Sequence, residues 1–206
     1  MTGELRRLGE VMHTLRAQCP WDAEQTHTSL LRYLVEETAE VVDAVETGTD
    51  ADLREELGDL LLQVFFHAEI AGERGAFTID DVARGIADKL VERHPYVFSD
   101  AEVPGDLNQS WEQNKRAQKR RSSALDGIPA SLPVLARADK VIGRARVHGV
   151  EVGLPTDPLS PEAYGTEVLA LTARAQAAGV DPEQALRAAL RELEGEVRAA
   201  EGQPRS

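Results

Sequence analysis

Between Leu34 and Phe66 the chain carries two acidic pairs set symmetrically about a glycine. Glu37 and Glu40 precede Gly48 by eleven and eight positions, and Glu56 and Asp59 follow it by eight and eleven. Residues at i and i+3 share one helix face, so each pair can converge on a point. The break Thr47-Gly48-Thr49-Asp50 between two helical patterns predicts an antiparallel helical hairpin. Equal rise along both arms then sets Glu40 level with Glu56, and Glu37 level with Asp59. Four carboxylates are then expected to face one another across the hairpin, or across whatever packs on it.

Acidic residues on helices usually form a solvated face, and that reading suits Asp43 and Glu55. It fits Asp59 poorly, because Asp59 opens the most hydrophobic run of the chain, Leu60-Leu61-Leu62 followed by Val64-Phe65-Phe66. Buried carboxylates without a counter-charge would rather protonate. Four together call for a cation, and an all-oxygen set suits Mg²⁺, or Mn²⁺ in its place, better than Zn²⁺.

The remainder of the chain agrees with an all-α helical bundle. Aromatic residues make up only 4% of 206 positions and hydrophobic residues 42%, which favours helices with a real core. Periodicity predicts a first helix over 3–18, a second over about 28–46 and a third, capped by Asp50, to about 74. A fourth follows a Thr78 cap to about 93, and later helices are expected over about 134–147, 162–178 and 182–200, the last capped by Asp181. In the second helix Leu31, Leu34, Val35, Val42 and Val45 form the expected buried stripe; in the fourth, Ile79, Val82, Ile86 and Leu90 point inward. Lys89 and Arg93 lie four apart near the end of the fourth helix. The macrodipole favours cations there in any case, and the alternative role is to clamp phosphate oxygens. Cys19-Pro20-Trp21-Asp22 and Gln25-Thr26-His27 crowd binding-capable side chains into one connector, where they either plug the bundle end or contact a ligand. Trp111 has almost no apolar neighbours, so a core role is hard to assign to it.

The last two helices read as an eroded echo of the third and fourth. Gly165-Thr166-Glu167-Val168 mirrors Gly58-Asp59-Leu60-Leu61, with Thr166 where the first copy has Asp59. In this register Glu192 and Glu196 replace Lys89 and Arg93, and no acidic arm precedes the second copy. The division expected is a catalytic helical domain over 1–122, a connector with one helix over 123–161, and degenerate second-repeat helices over 162–206.

At these residues the sequence resembles the MazG-type nucleoside triphosphate pyrophosphohydrolases of the all-α NTP pyrophosphatase superfamily. The resemblance is carried by Cys19-Pro20-Trp21-Asp22, Glu36-Glu37-x-x-Glu40, Glu56-x-x-Asp59, Lys89-x-x-x-Arg93-His94-Pro95 and Trp111-Glu112-x-x-Lys115, over about residues 5–148. It implies a homodimer whose four-helix core is completed by pairing. It also implies Mg²⁺-dependent hydrolysis of (d)NTPs to monophosphate and pyrophosphate. Carried over by position, Glu37, Glu40, Glu56 and Asp59 are metal ligands, Lys89 and Arg93 hold the triphosphate, Trp111 stacks on the base and Lys115 lies close by. Glu36, one residue off the ligand face, is the group expected to orient or deprotonate the attacking water.

Two other functions are weighed against this one. The eroded second half motivates a catalytically weak, metal-stabilised helical dimer that binds or regulates a partner. The basic tract 115–121 motivates a nucleic-acid binder, but the net charge of −13 opposes that and opposes anionic membranes. No apolar run approaches the ~20 residues that cross a bilayer, and one cysteine suits a reducing compartment, so a cytoplasmic protein is expected.

Overall fold

The computed structural model describes residues 3–105, 107, 114 and 122–202. Among them there are helices and turns and no strand, so the chain is all-α as expected. The helices are α1 (Gly3–Gln18), α2 (Pro20–Glu24), α3 (Leu31–Thr47), α4 (Asp50–Glu73), α5 (Ile79–Arg93), α6 (Pro95–Phe98), α7 (Val134–Val147), α8 (Pro161–Ala177) and α9 (Pro182–Ala200). They fall into two compact units, Met1–Ser99 and Asp100–Ser206. No described helix is long and apolar enough to cross a membrane.

In the first unit α3 and α4 form the hairpin, turning at Gly48. A Cβ at Gly48 would sit 2.9 Å from both Cα and O of Ala44, so this turn needs a glycine for close approach. The stop signal and the next start signal are adjacent. Thr49 caps α4 in a reciprocal box, its hydroxyl accepting from the Asp52 amide while Asp52 accepts from the Thr49 amide. The cap is therefore Thr49, and Asp50, expected in that role, is the first helical residue. Thr78 caps α5 in the same way through Asp81.

The second helix begins at Leu31 and not at Thr28, because residues 25–29 close on themselves. Ser29 Oγ accepts from the Thr26 amide and donates to Gln25 Oε1, while Thr26 Oγ1 accepts from the Ser29 amide. Met12, Leu30, Phe65 and Phe66 form the core of this unit, with Leu8, Tyr33, Leu61, Leu62, Ile70 and Ile79 packed around them. The expected stripes correct accordingly. On α3, Leu31, Val35, Val42 and Val45 are exposed within one chain (Val35 by 70%), and on α5 so are Val82, Ile86 and Leu90. Only Leu34 and Ile79 of the two stripes are half-buried. Hydrophobic periodicity identifies a face to be covered without saying what covers it.

The second unit is built on α7 and α9, which pack through Val134, Val141 and Leu190 and through Ala145 and Val197 with Ala124. Asp181 caps α9 as expected, accepting from the amides of Glu183 and Gln184. Glu194 is buried and paired with Arg137, whose Nε and Nη2 stand 2.9 and 2.7 Å from Oε1. At the far end of α9, Glu201 accepts from the Ser123 hydroxyl and the Ala124 amide at 2.6 and 2.7 Å, tying the start of the unit to its end.

Candidate metal and nucleotide site

The hairpin brings three of the four carboxylates together. One oxygen each from Glu37 on α3 and from Glu56 and Asp59 on α4 all lie within 4.8 Å of one another, and all three residues are half-buried. Glu40 stands on the exposed side of this group, close enough to share a hydrogen bond with Glu37 and to act on the charge of Glu56. Among the described residues none of the four is in an ion pair. The cost appears in their protonation. Burial, the charges of Asp59 and Glu40, the hydrogen bond with Glu40 and the charge of Glu56 hold the Glu37 carboxyl above its ordinary value. Burial, then the charges of Glu40, Asp59, Glu55 and Asp52, do the same to Glu56.

Such a cluster is unfavourable as anions in water and becomes favourable around a hard divalent ion. Carboxylate oxygens only, at this mutual distance and half-buried, match the donor set of Mg²⁺ or Mn²⁺. Glu36 lies one residue from Glu37 on α3 and is exposed, so a solvent-borne group can reach it.

Of the expected phosphate contacts, Lys89 is half-buried, and Arg93, one turn later, is 7% exposed. Trp111 and Lys115 lie outside the described residues. Trp21 is half exposed, with edge-to-face contacts to Tyr33 and Phe66 at centroid distances of 5.9 and 6.4 Å, so it does plug this end of the unit while leaving one face in solvent. Gln25 donates to the Trp21 carbonyl, and with Thr26 it forms the turn described above.

Two polar systems escaped the reading of the sequence. Arg16 on α1 makes a two-pronged pair with Glu73 on α4, Nε to Oε1 at 2.6 Å and Nη2 to Oε2 at 2.7 Å, and donates to the carbonyls of Asp22 and Gln25. It therefore fixes the connector against the hairpin. Glu73 is held below its ordinary value by the Arg16 hydrogen bond. Two turns beyond Asp59 on α4, His67 is joined to His27, Nδ1 to Nδ1 at 2.8 Å, with ring planes 6° apart and centroids 5.1 Å apart. The centroids are too distant for face-to-face stacking, so this is an in-plane N–H···N bond.

Arg74 Nη2 donates to His27 Nε2 at 3.0 Å, which makes His27 Nδ1 the donor and leaves the His67 proton on Nε2. Burial and then His27 hold His67 below its ordinary value. The spacing Asp59, Gln63, His67 along one face of α4 was the available signal. A pairing 40 residues away in sequence has no local periodicity to reveal it.

The MazG nucleotide pyrophosphohydrolase domain matches residues 25–98, the span that contains all four carboxylates, Lys89 and Arg93. A nucleoside triphosphate pyrophosphohydrolase/pyrophosphatase MazG from Thermotoga maritima is 38% identical over 90% of this chain and 81% of its own length. The chain belongs to the MazG family. An uncharacterised 26.1 kDa protein from Streptomyces cacaoi is 47% identical over 94% of this chain and 81% of its own. The Escherichia coli nucleoside triphosphate pyrophosphohydrolase is 47% identical over 72% of this chain, which spans 59% of that protein. A crystal structure of a mazG-related protein from Thermotoga maritima aligns over 54% of this chain and 98% of its own at a TM-score of 0.47 and 26% identity.

Proposed function

We propose that this chain hydrolyses ribo- and deoxyribonucleoside triphosphates to the monophosphate and pyrophosphate in a Mg²⁺-dependent reaction with broad base tolerance, as a nucleotide-pool enzyme of the cytoplasm. The observation that carries the reading is the uncompensated convergence of Glu37, Glu56 and Asp59, with Glu40 beside them, inside a segment that belongs to the MazG family. These four carboxylates would hold the cation. When bound, a divalent ion supplies charge neutralisation between carboxylates and phosphates and acidifies water.

The chain's own groups divide the remaining work. Glu36 orients and deprotonates the attacking water from its exposed position beside Glu37. Lys89 and Arg93 bind the triphosphate oxygens and favour departure of pyrophosphate. Trp111 stacks on the base, which tolerates any base because each has a π-face, and Lys115 lies beside it. The exposed stripes of α3 and α5 support a homodimer that completes a four-helix core. Incubation with a panel of canonical dNTPs and Mg²⁺ tests the activity. Nucleoside monophosphate and pyrophosphate are expected from each, with rates within about tenfold across bases. Nucleoside diphosphate and orthophosphate as products, or release from one base alone, would overturn it. No turnover at all would favour the weak, metal-stabilised partner-binding module instead.

A further inference from the structure

We propose that α8 in the second unit is an association helix, pairing antiparallel with α8 of a second copy of this chain. The helix is 17 residues long and none of them is buried. Tyr164, Val168, Leu171 and Ala175 recur at spacings of four, three and four, the a/d repeat of a helix–helix seam. Tyr164 and Leu171 are 49% and 60% exposed, and Val168 and Ala175 are half-buried. All four line a cavity of about 560 Å³ whose other walls include Val134 and Leu135 of α7 and Leu186 of α9. The seam thus opens into an apolar groove that the unit itself leaves unfilled.

Charge selects the occupant and its direction. Glu167 and Arg174 precede Val168 and Ala175 and stand seven residues apart on the same flank, exposed, and among the described residues neither has an ion-pair partner. In an antiparallel pair Val168 faces the partner's Leu171 and Tyr164 faces the partner's Ala175. Glu167 then meets the partner's Arg174, and the two-fold axis repeats the contact with opposite sense. A parallel pair sets Glu167 against Thr172, with no charge to answer it. The sequence of α8 is therefore complementary to itself in one orientation. The inference is independent of metal binding and of any pairing through α3.

Cross-linking tests it in the full chain with Cys19→Ser as background. Tyr164→Cys with Ala175→Cys should give a covalent dimer on mild oxidation, since each seam cysteine faces the other in the partner. Two cysteines eleven residues apart on one helix are about 16 Å apart and cannot close within a chain. Tyr164→Cys alone should not cross-link, because antiparallel pairing separates the two copies by that same distance. Glu167→Arg should weaken cross-linking roughly tenfold, and adding Arg174→Glu should restore it. Cross-linking by Tyr164→Cys alone would mean parallel pairing and overturn the proposal. So would absence of any disulfide-linked dimer in the double-cysteine chain with circular dichroism unchanged, which would leave the groove to another occupant.

Discussion

At the scale of single residues the site is governed by crowded negative charge. Glu37 and Glu56 hold their protons to higher pH in the folded chain than in the unfolded one. The folded state then binds more protons, so metal-free stability falls as pH rises from the ordinary glutamate range through the raised folded values. In the proposed reading a divalent cation replaces those protons. The gain in Tm on adding Mg²⁺ is therefore expected to be larger at about pH 8 than at about pH 5, and Glu37→Gln should raise the metal-free Tm at neutral pH while reducing the Mg²⁺ response. An equal response at both pH values would contradict this. The convergence of Glu37, Glu56 and Asp59 was legible in the sequence because two acidic pairs placed symmetrically about one glycine leave little choice of geometry. The His27–His67 bond and the Arg16–Glu73 pair were not, because each joins residues distant in sequence whose partners no local pattern fixes.

At the scale of elements, the hairpin stands because its turn is specified twice, by close approach at Gly48 and by the Thr49–Asp52 box. The cap is Thr49, one residue before the expected Asp50, since Thr and Asp in succession offer two candidate caps and only the reciprocal bond to Asp52 decides. Helix α1 is held against α4 by the packing of Met12 with Phe65 and Phe66 and by the Arg16–Glu73 pair, with the guanidinium 5.8 Å from the Phe66 ring centroid as well. Glu73 is depressed in the folded state, so its contribution is fully present above the ordinary glutamate value and is lost as pH falls through the depressed one. The Glu73 side chain is 44% exposed, and solvent screening reduces the pair to about 1 kcal/mol. Glu73→Gln should lose about that much at neutral pH in urea unfolding, and the difference from wild type should vanish in acid. A difference unchanged at low pH would mean that the pair does not act through charge.

At the scale of the whole molecule, the single chain leaves large apolar residues on α1, α3, α5 and α8 in solvent. Their periodicity was plain in the sequence; the proposal that another chain covers some of them rested there only on family resemblance. Sedimentation equilibrium is expected to show a dimer or larger assembly at micromolar concentration, and a monomer would contradict the reading of the α3 and α5 faces. The second unit keeps a core of its own in which a paired, buried Glu194 takes part, while in the register proposed for the repeat Thr166, Glu192 and Glu196 stand at the positions of Asp59, Lys89 and Arg93. One site per chain, in the α3–α4 hairpin, is the central claim. Pyrophosphate release from dATP with Mg²⁺, compared between wild type, Glu56→Gln, Asp59→Asn and Glu36→Gln alongside Mg²⁺ titration of each, tests it most directly. Glu56→Gln and Asp59→Asn should lose Mg²⁺ binding and fall in turnover on the order of 100-fold or more, whereas Glu36→Gln should lose turnover with Mg²⁺ affinity nearly intact. Substantial turnover in either ligand variant would contradict a single carboxylate site in the hairpin.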